Sequence, residues 1–226
     1  MTMHFRNEVH SLQNRLVELS GKVEDQLHRA VESVRERDAK IATSVLDGDH
    51  AIDLAEVQLE EECLKILALH QPVAHDLRFI VAVLKINNDL ERIGDLAVNI
   101  AERTIFLASE AMPSTAYDFS DMATKTSAML RESLDALLRE DVQMAIHVRE
   151  SDNEVDEAHR NMYEQIKTSI RETPQHLDAL IHLLSISRNL ERIADHATNI
   201  AEDVIYLYKG EIVRHRFEDG GTVSHS

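Results

Sequence analysis

The 226-residue chain has no tryptophan, one cysteine, three prolines and six glycines. Each scarcity excludes something. A lone cysteine, Cys63, cannot form an internal disulfide, which fits a reducing, cytoplasmic setting. Its place in "CLKILAL" marks it as a small core residue. So few breakers and aromatics, beside abundant Leu, Ala, Glu and Arg, argue for an all-helical protein. Long apolar runs are missing too. The longest, "FIVAVL" at 79–84, falls far short of a membrane span, and "MTMHFRNEVH" lacks the apolar centre of a signal peptide. Any membrane role is therefore expected to be peripheral, through protein partners. Basic residues are outnumbered 24 to 41, a net charge of −17. A surface this acidic repels nucleic acid and anionic lipid and suits cations or basic protein patches.

What is present is a duplication. "LERIGDLAVNIAE" at 90–102 returns as "LERIADHATNIAE" at 190–202. The changes are Gly94 to Ala194, Leu96 to His196 and Val98 to Thr198. Pro72 and Pro174 precede the helices carrying the phrase, and Pro113 lies in a linker, "ASEAMPSTAYDFS". Periodicity predicts helices near 4–36, 38–70 and 74–108, with an irregularity at "DGDH" (47–50), then near 114–149, 152–172 and 176–209. Asp49 with Asp53, and Asp152 with Asp156, form matching Asp-x-x-x-Asp pairs near helix starts. The expectation is six helices in two tandem, pseudo-symmetric three-helix bundles, 1–110 and 111–210, with a flexible tail at 211–226.

At about 100° per residue, Glu91, Glu102, Asp95 and Asn99 share one stripe, with Arg92 beside it. Ile93, Ala97 and Ile100 cluster about 200° from Glu91. The stripe is thus expected to face outward, nearly opposite the core. Glu191, Asp195, Asn199, Glu202 and Arg192 repeat it. Packing can preserve a core stripe after duplication, but it gives no reason to preserve an outward acidic one. Glu91 and Asp95 are like charges one turn apart, costing a few tenths of a kcal/mol unless neutralised. A divalent or trivalent cation would neutralise them, since carboxylate and amide oxygens suit Mg, Ca, Mn or Fe. Asp49, Asp53, Asp152 and Asp156 could supply further ligands from the neighbouring helices, enough for more than one ion.

Other chemistries are poorly served. A ferritin-like site needs Glu-x-x-His, but Gly94 and Ala194 stand three residues after Glu91 and Glu191. No P-loop, nucleophile elbow or zinc spacing occurs. His196 reads as an ordinary helix residue, and His50 and His159 as auxiliary ligands at most. Arg78, Arg92 and Arg192 are candidates for partner contact. A metal-dependent hydrolase and a plain helical scaffold remain alternatives.

"QPVAHDLRFIVAVLKINNDLERIGDLAVNIAE", followed a hundred residues later by "ISRNLERIADHATNIAED", resembles the PhoU family over roughly residues 4 to 210. The resemblance implies two similar three-helix bundles side by side. It implies multinuclear metal clusters, including iron, on Glu91, Asp95, Asn99, Glu191, Asp195 and Asn199. Asp49, Asp53, Asp152 and Asp156 would be their counterparts on the preceding helices. Mn, Mg and Zn are further candidate ions. It also implies a non-enzymatic negative regulator of the phosphate-starvation response. Such a regulator links the phosphate ABC transporter, through its ATPase subunit, to a sensor histidine kinase. A homodimer is expected, cytoplasmic and associated with the inner face of the membrane only through partners.

Overall fold

The computed structural model describes residues 3–112, 115 and 117–210. Pro113 and the tail from 211 lie outside the described residues. Six long helices run α1 Met3–Glu36, α2 Ala39–His70, α3 Ala74–Ser109, α4 Ser120–Leu138, α5 Val142–Glu172 and α6 Leu177–Lys209, with a short 3-10 turn at Pro174–His176.

Two turns show how closely the halves repeat. Between α1 and α2, Arg37 takes a left-handed φ of 51°, and Asp38 Oδ1 then accepts from the backbone N–H groups of Lys40 and Ile41 at 2.7 and 3.4 Å. Between α4 and α5, Glu140 takes φ 58° and Asp141 Oδ1 accepts from Gln143 and Met144 at 2.9 and 3.0 Å. Each aspartate contributes about 1 kcal/mol as an N-cap.

This corrects the expected helix boundaries. The break in the second half lies at 139–141, not near 150, and α4 begins at Ser120 rather than 114. The turn contains no Gly or Pro; a capping aspartate and a strained glutamate make it. The expected irregularity at 47–50 is absent: α2 runs through Gly48, where an added Cβ would meet only Arg29 Nη2, at 3.9 Å. The Asp-x-x-x-Asp pairs therefore lie well inside α2 and α5, not at their starts.

Ala42, Val45, Ile52 and Leu59 of α2 are buried, as are Ala145, Val148, Val155 and Met162, their counterparts 103 positions on. Ile86, Leu90, Ile93 and Ile100 of α3 match Ile186, Leu190, Ile193 and Ile200 of α6, again all buried. Each such side chain contributes about 1.5–3 kcal/mol when fully buried. One continuous core joins both halves.

The halves meet along α3 and α6, which run antiparallel. Arg78 Nε donates to the Leu207 carbonyl at 3.4 Å, Lys85 Nζ pairs with Asp203 at 2.9 Å, and His196 Nδ1 lies 2.8 Å from Asp89 Oδ1. Farther along, Phe106 stacks on His182 with ring centroids 3.9 Å apart. The register of these contacts places the pseudo-twofold axis at the level of Ile93 and Ile193. The repeated phrase is doubled because one copy lies on each side of that axis.

Candidate metal and docking site in two acidic grooves

α3 packs against α1, α2 and α6, so its buried arc is wide. The arc spans roughly 200°, from Leu96 on the α6 side to Ile80 on the α2 side. Glu91 sits at the α2 edge of that arc. The acidic stripe is thus not opposite the core. Glu91 and Asp95 are half-buried, their side chains 27% and 44% exposed, in a groove between α3 and α2.

In the first groove, Glu91 meets carboxylates of α2. Burial raises its pKa most, Asp95 adds to this while Arg92 opposes it, and Glu56 and Asp53 raise it further. Glu56 is pushed up by burial and by Glu60 and Asp53. Its carbonyl and carboxylate accept from Asn87 Nδ2 at 3.0 and 3.2 Å. Arg92 bridges Glu91 and Asp95 at 3.5 and 3.4 Å. Asp49 accepts from Gln26 Nε2 of α1 at 3.2 Å.

The second groove is crowded in the same way. Burial pushes Asp152 up to about 6, with help from Asp195, Asp156 and Glu191; only the Thr198 hydroxyl opposes. Glu191 and Asp195 are raised by burial first and then by their acidic neighbours, while Arg188 and Arg192 oppose at Glu191 and His196 and Arg192 oppose at Asp195. Arg192 is exposed and makes no ion pair among the described residues. His159, the counterpart of Glu56, bonds Ser187 Oγ through Nδ1 at 2.8 Å, and burial lowers its pKa.

Both asparagines use their amide nitrogens as donors. Asn99 Nδ2 donates to the Asp95 carbonyl of its own helix at 2.9 Å, and Asn199 Nδ2 reaches Asp89 across the seam at 3.5 Å. Arg78 is spent on the seam carbonyl of Leu207. Sequence reasoning also missed Asp89, His196, Lys85 and Asp203. The signal was present: Asp89 stands where α6 has Asn189, and His196 where α3 has Leu96.

Each change within the phrase has a structural partner. Gly94 lies under Gln26, and a Cβ there would meet Gln26 Oε1 at 3.2 Å. In the second half the residue 103 positions after Gln26, the register of the α1–α2 and α4–α5 turns, is Met129, buried like Gln26 but without a polar head, and Ala194 stands where Gly94 does. Leu96 with Asn189 becomes His196 with Asp89, and Thr198 adds a hydroxyl beside Asp152.

Two helices thus present carboxylates to one another in each half, with fewer cations than charges. That donor set suits a hard divalent or trivalent ion. As the side chains are placed, no three His, Cys, Asp or Glu among the described residues converge closely enough to hold one. The fit is one of donor chemistry and helix pairing, and side-chain torsions would have to turn to close a site.

Duplicated helices, a shared core and an acidic groove in each half define a class of two-repeat helical bundle proteins. The family model described as "PhoU domain" matches residues 16–104 and again 119–204, and the chain belongs to the PhoU family. It is 36% identical to the phosphate-specific transport system accessory protein PhoU homolog of Pseudomonas aeruginosa, over 95% of this chain and 89% of that one. It is also 36% identical to the Aquifex aeolicus homolog, over 95% and 97%. The crystal structure of Pseudomonas aeruginosa PhoU superposes with a TM-score of 0.89, covering 92% of this chain and all 100% of that one at 36% identity. That of the phosphate transport system regulatory protein PhoU from Streptococcus pneumoniae gives 0.85, covering 92% and 99% at 26% identity.

Proposed function

We propose that this protein is a regulatory adaptor of bacterial phosphate homeostasis. It represses the phosphate-starvation response by coupling the phosphate ABC transporter, at its ATPase subunit, to the sensor histidine kinase. The observation that carries the reading is the pair of acidic grooves kept in both halves. Glu91 and Asp95 face α2, and Glu191 and Asp195 face Asp152 and Asp156. In this reading each groove holds divalent or trivalent ions of the Fe, Mn, Mg or Zn kind, and so sets the charge of a docking surface. The names of the relatives, an accessory and a regulatory protein of phosphate transport, support the role.

The protein acts as a homodimer, without enzymatic turnover, and meets the membrane only through its partners. No helix of the described residues is long and apolar enough to cross one. The test is the quadruple variant with alanine at Glu91, Asp95, Glu191 and Asp195 in a phosphate-replete cell. The expected result is expression of phosphate-starvation genes, at unchanged abundance and helicity. Full repression by the variant would contradict the proposal, as would metal-dependent phosphoester turnover by the wild type.

A further inference from the structure

The duplication supplies its own control for every surface. Helices α2 and α5 share a core register 103 positions apart, so their solvent faces can be compared residue by residue. On α5 that face carries Glu157, Arg160, Glu164 and Lys167, with Lys167 paired to Glu164 at 3.0 Å. It is a solvated, self-neutralised face. On α2 the counterparts of Glu157, Arg160 and Lys167 are Leu54, Val57 and Leu64, exposed by 49%, 47% and 53%.

The three apolar side chains lie within about 80° of one another on the side of α2 away from the core. They span about 15 Å, roughly three turns. Single exposed leucines are ordinary. A stripe of them is different where the same fold, in the same molecule, does without it. The α5 face shows that the fold does not require leucine there.

The rim identifies the occupant. Asp53 and Glu60 border the stripe and Glu61 stands within it between Val57 and Leu64, and none of the three forms an ion pair among the described residues. A second copy laid on this face would set those carboxylates against their own kind, on chains of net charge −17. An anionic membrane is repelled for the same reason. An amphipathic helix with apolar residues at i, i+3, i+4 and i+7 and Lys or Arg along its flanks meets both features.

We propose that the outer face of α2, centred on Leu54, Val57 and Leu64, is a docking surface for a basic amphipathic helix of a partner protein. This names a partner chemistry for the adaptor, and to that extent rests on that reading. The surface itself is read out without any regulatory assay.

The test is fluorescence anisotropy of a labelled 18-residue Leu/Lys peptide of amphipathic pattern, titrated with the full chain. A scrambled peptide of the same composition is the control. The comparison protein carries L54E, V57R and L64K, which are the residues of α5. The wild type should bind the amphipathic peptide well above the scrambled one, and the triple variant should bind it roughly tenfold or more weakly. Helicity and thermal midpoint should match the wild type. The converse variant E157L, R160V and K167L should gain a second site. Equal binding of both peptides, or equal binding by wild type and triple variant, would overturn the proposal. So would sedimentation showing a wild-type dimer that the triple substitution dissociates, because a second copy would then occupy the face. Derepression by the quadruple alanine variant tests the adaptor reading separately, so the two failures are distinguishable.

Discussion

Replacing Asp152 by Asn should stabilise the metal-free protein at neutral pH, although it removes a side chain repeated in both halves. Asp152 is half-buried among Asp156, Glu191 and Asp195, and its pKa rises from 3.8 to about 6. The folded state therefore holds more protons than the unfolded state between about pH 4 and 6. Stability linked to this group is fully present below pH 4 and is lost as pH rises through 6. A shift of that size corresponds to about 3 kcal/mol. Water and salt reach the groove, so a value of about 1–2 kcal/mol is expected. D152N should thus unfold at higher urea than wild type at pH 8 in the presence of a chelator. The two should converge as the pH approaches 4. Adding Mn or Mg at pH 8 should raise the stability of the wild type and leave D152N behind. A D152N protein less stable than wild type at pH 8 in chelator would refute the electrostatic argument. It would mean that Asp152 is held by hydrogen bonds that outweigh the crowding of carboxylates.

Three further outcomes follow from the seam and the core. G94A gains about 1 kcal/mol of helix propensity but drives a Cβ to 3.2 Å from Gln26 Oε1. That displaces the bonds Gln26 donates to Val45 and Asp49 at 3.3 and 3.2 Å. Each is worth about 1 kcal/mol, so G94A should destabilise by about 1 kcal/mol net and G94A/Q26M, which copies the Ala194 and Met129 of the second half, should recover it, measured by urea unfolding. H196L leaves the buried carboxylate of Asp89 without its closest partner and should cost about 2–3 kcal/mol. H196L/D89N, which copies the Leu96–Asn189 side of the axis, should restore most of the loss. Cys63 is buried and its thiol is pushed up to about 12 by burial and by Glu62 and Glu60, so a maleimide at pH 8 should label it only after unfolding.

Much of the fold was legible because duplication repeats its own evidence. The phrase at 90–102 and 190–202 fixed two helices, Pro72 and Pro174 fixed their beginnings, and apolar periodicity fixed the rest. The α4–α5 turn was missed because its residues, Arg139, Glu140 and Asp141, carry no breaker. Asp38 at the matching turn was the available clue. The acidic residues stood out in the sequence, but their orientation did not. A helical wheel locates one buried arc, whereas α3 packs on three neighbours and α6 repeats the arrangement. Which polar arc faces α2 and which faces α6 depends on packing that a wheel does not contain. Asn99 and Asn199 share a stripe with Glu91 and Glu191 by angle, yet bond to the helix backbone and to the seam. The asymmetric pair Asp89 and His196 is visible only when the two copies are compared as partners across an axis.

The most direct measurement is the metal content of the untagged protein by mass spectrometry, wild type beside the variant with alanine at Glu91, Asp95, Glu191 and Asp195. Helicity would be measured on both. The account predicts metal in the wild type after exposure to Fe, Mn, Mg and Zn, and its loss in the variant at unchanged helicity. Metal-free wild type after the same loading would contradict it and leave the grooves as bare acidic surfaces.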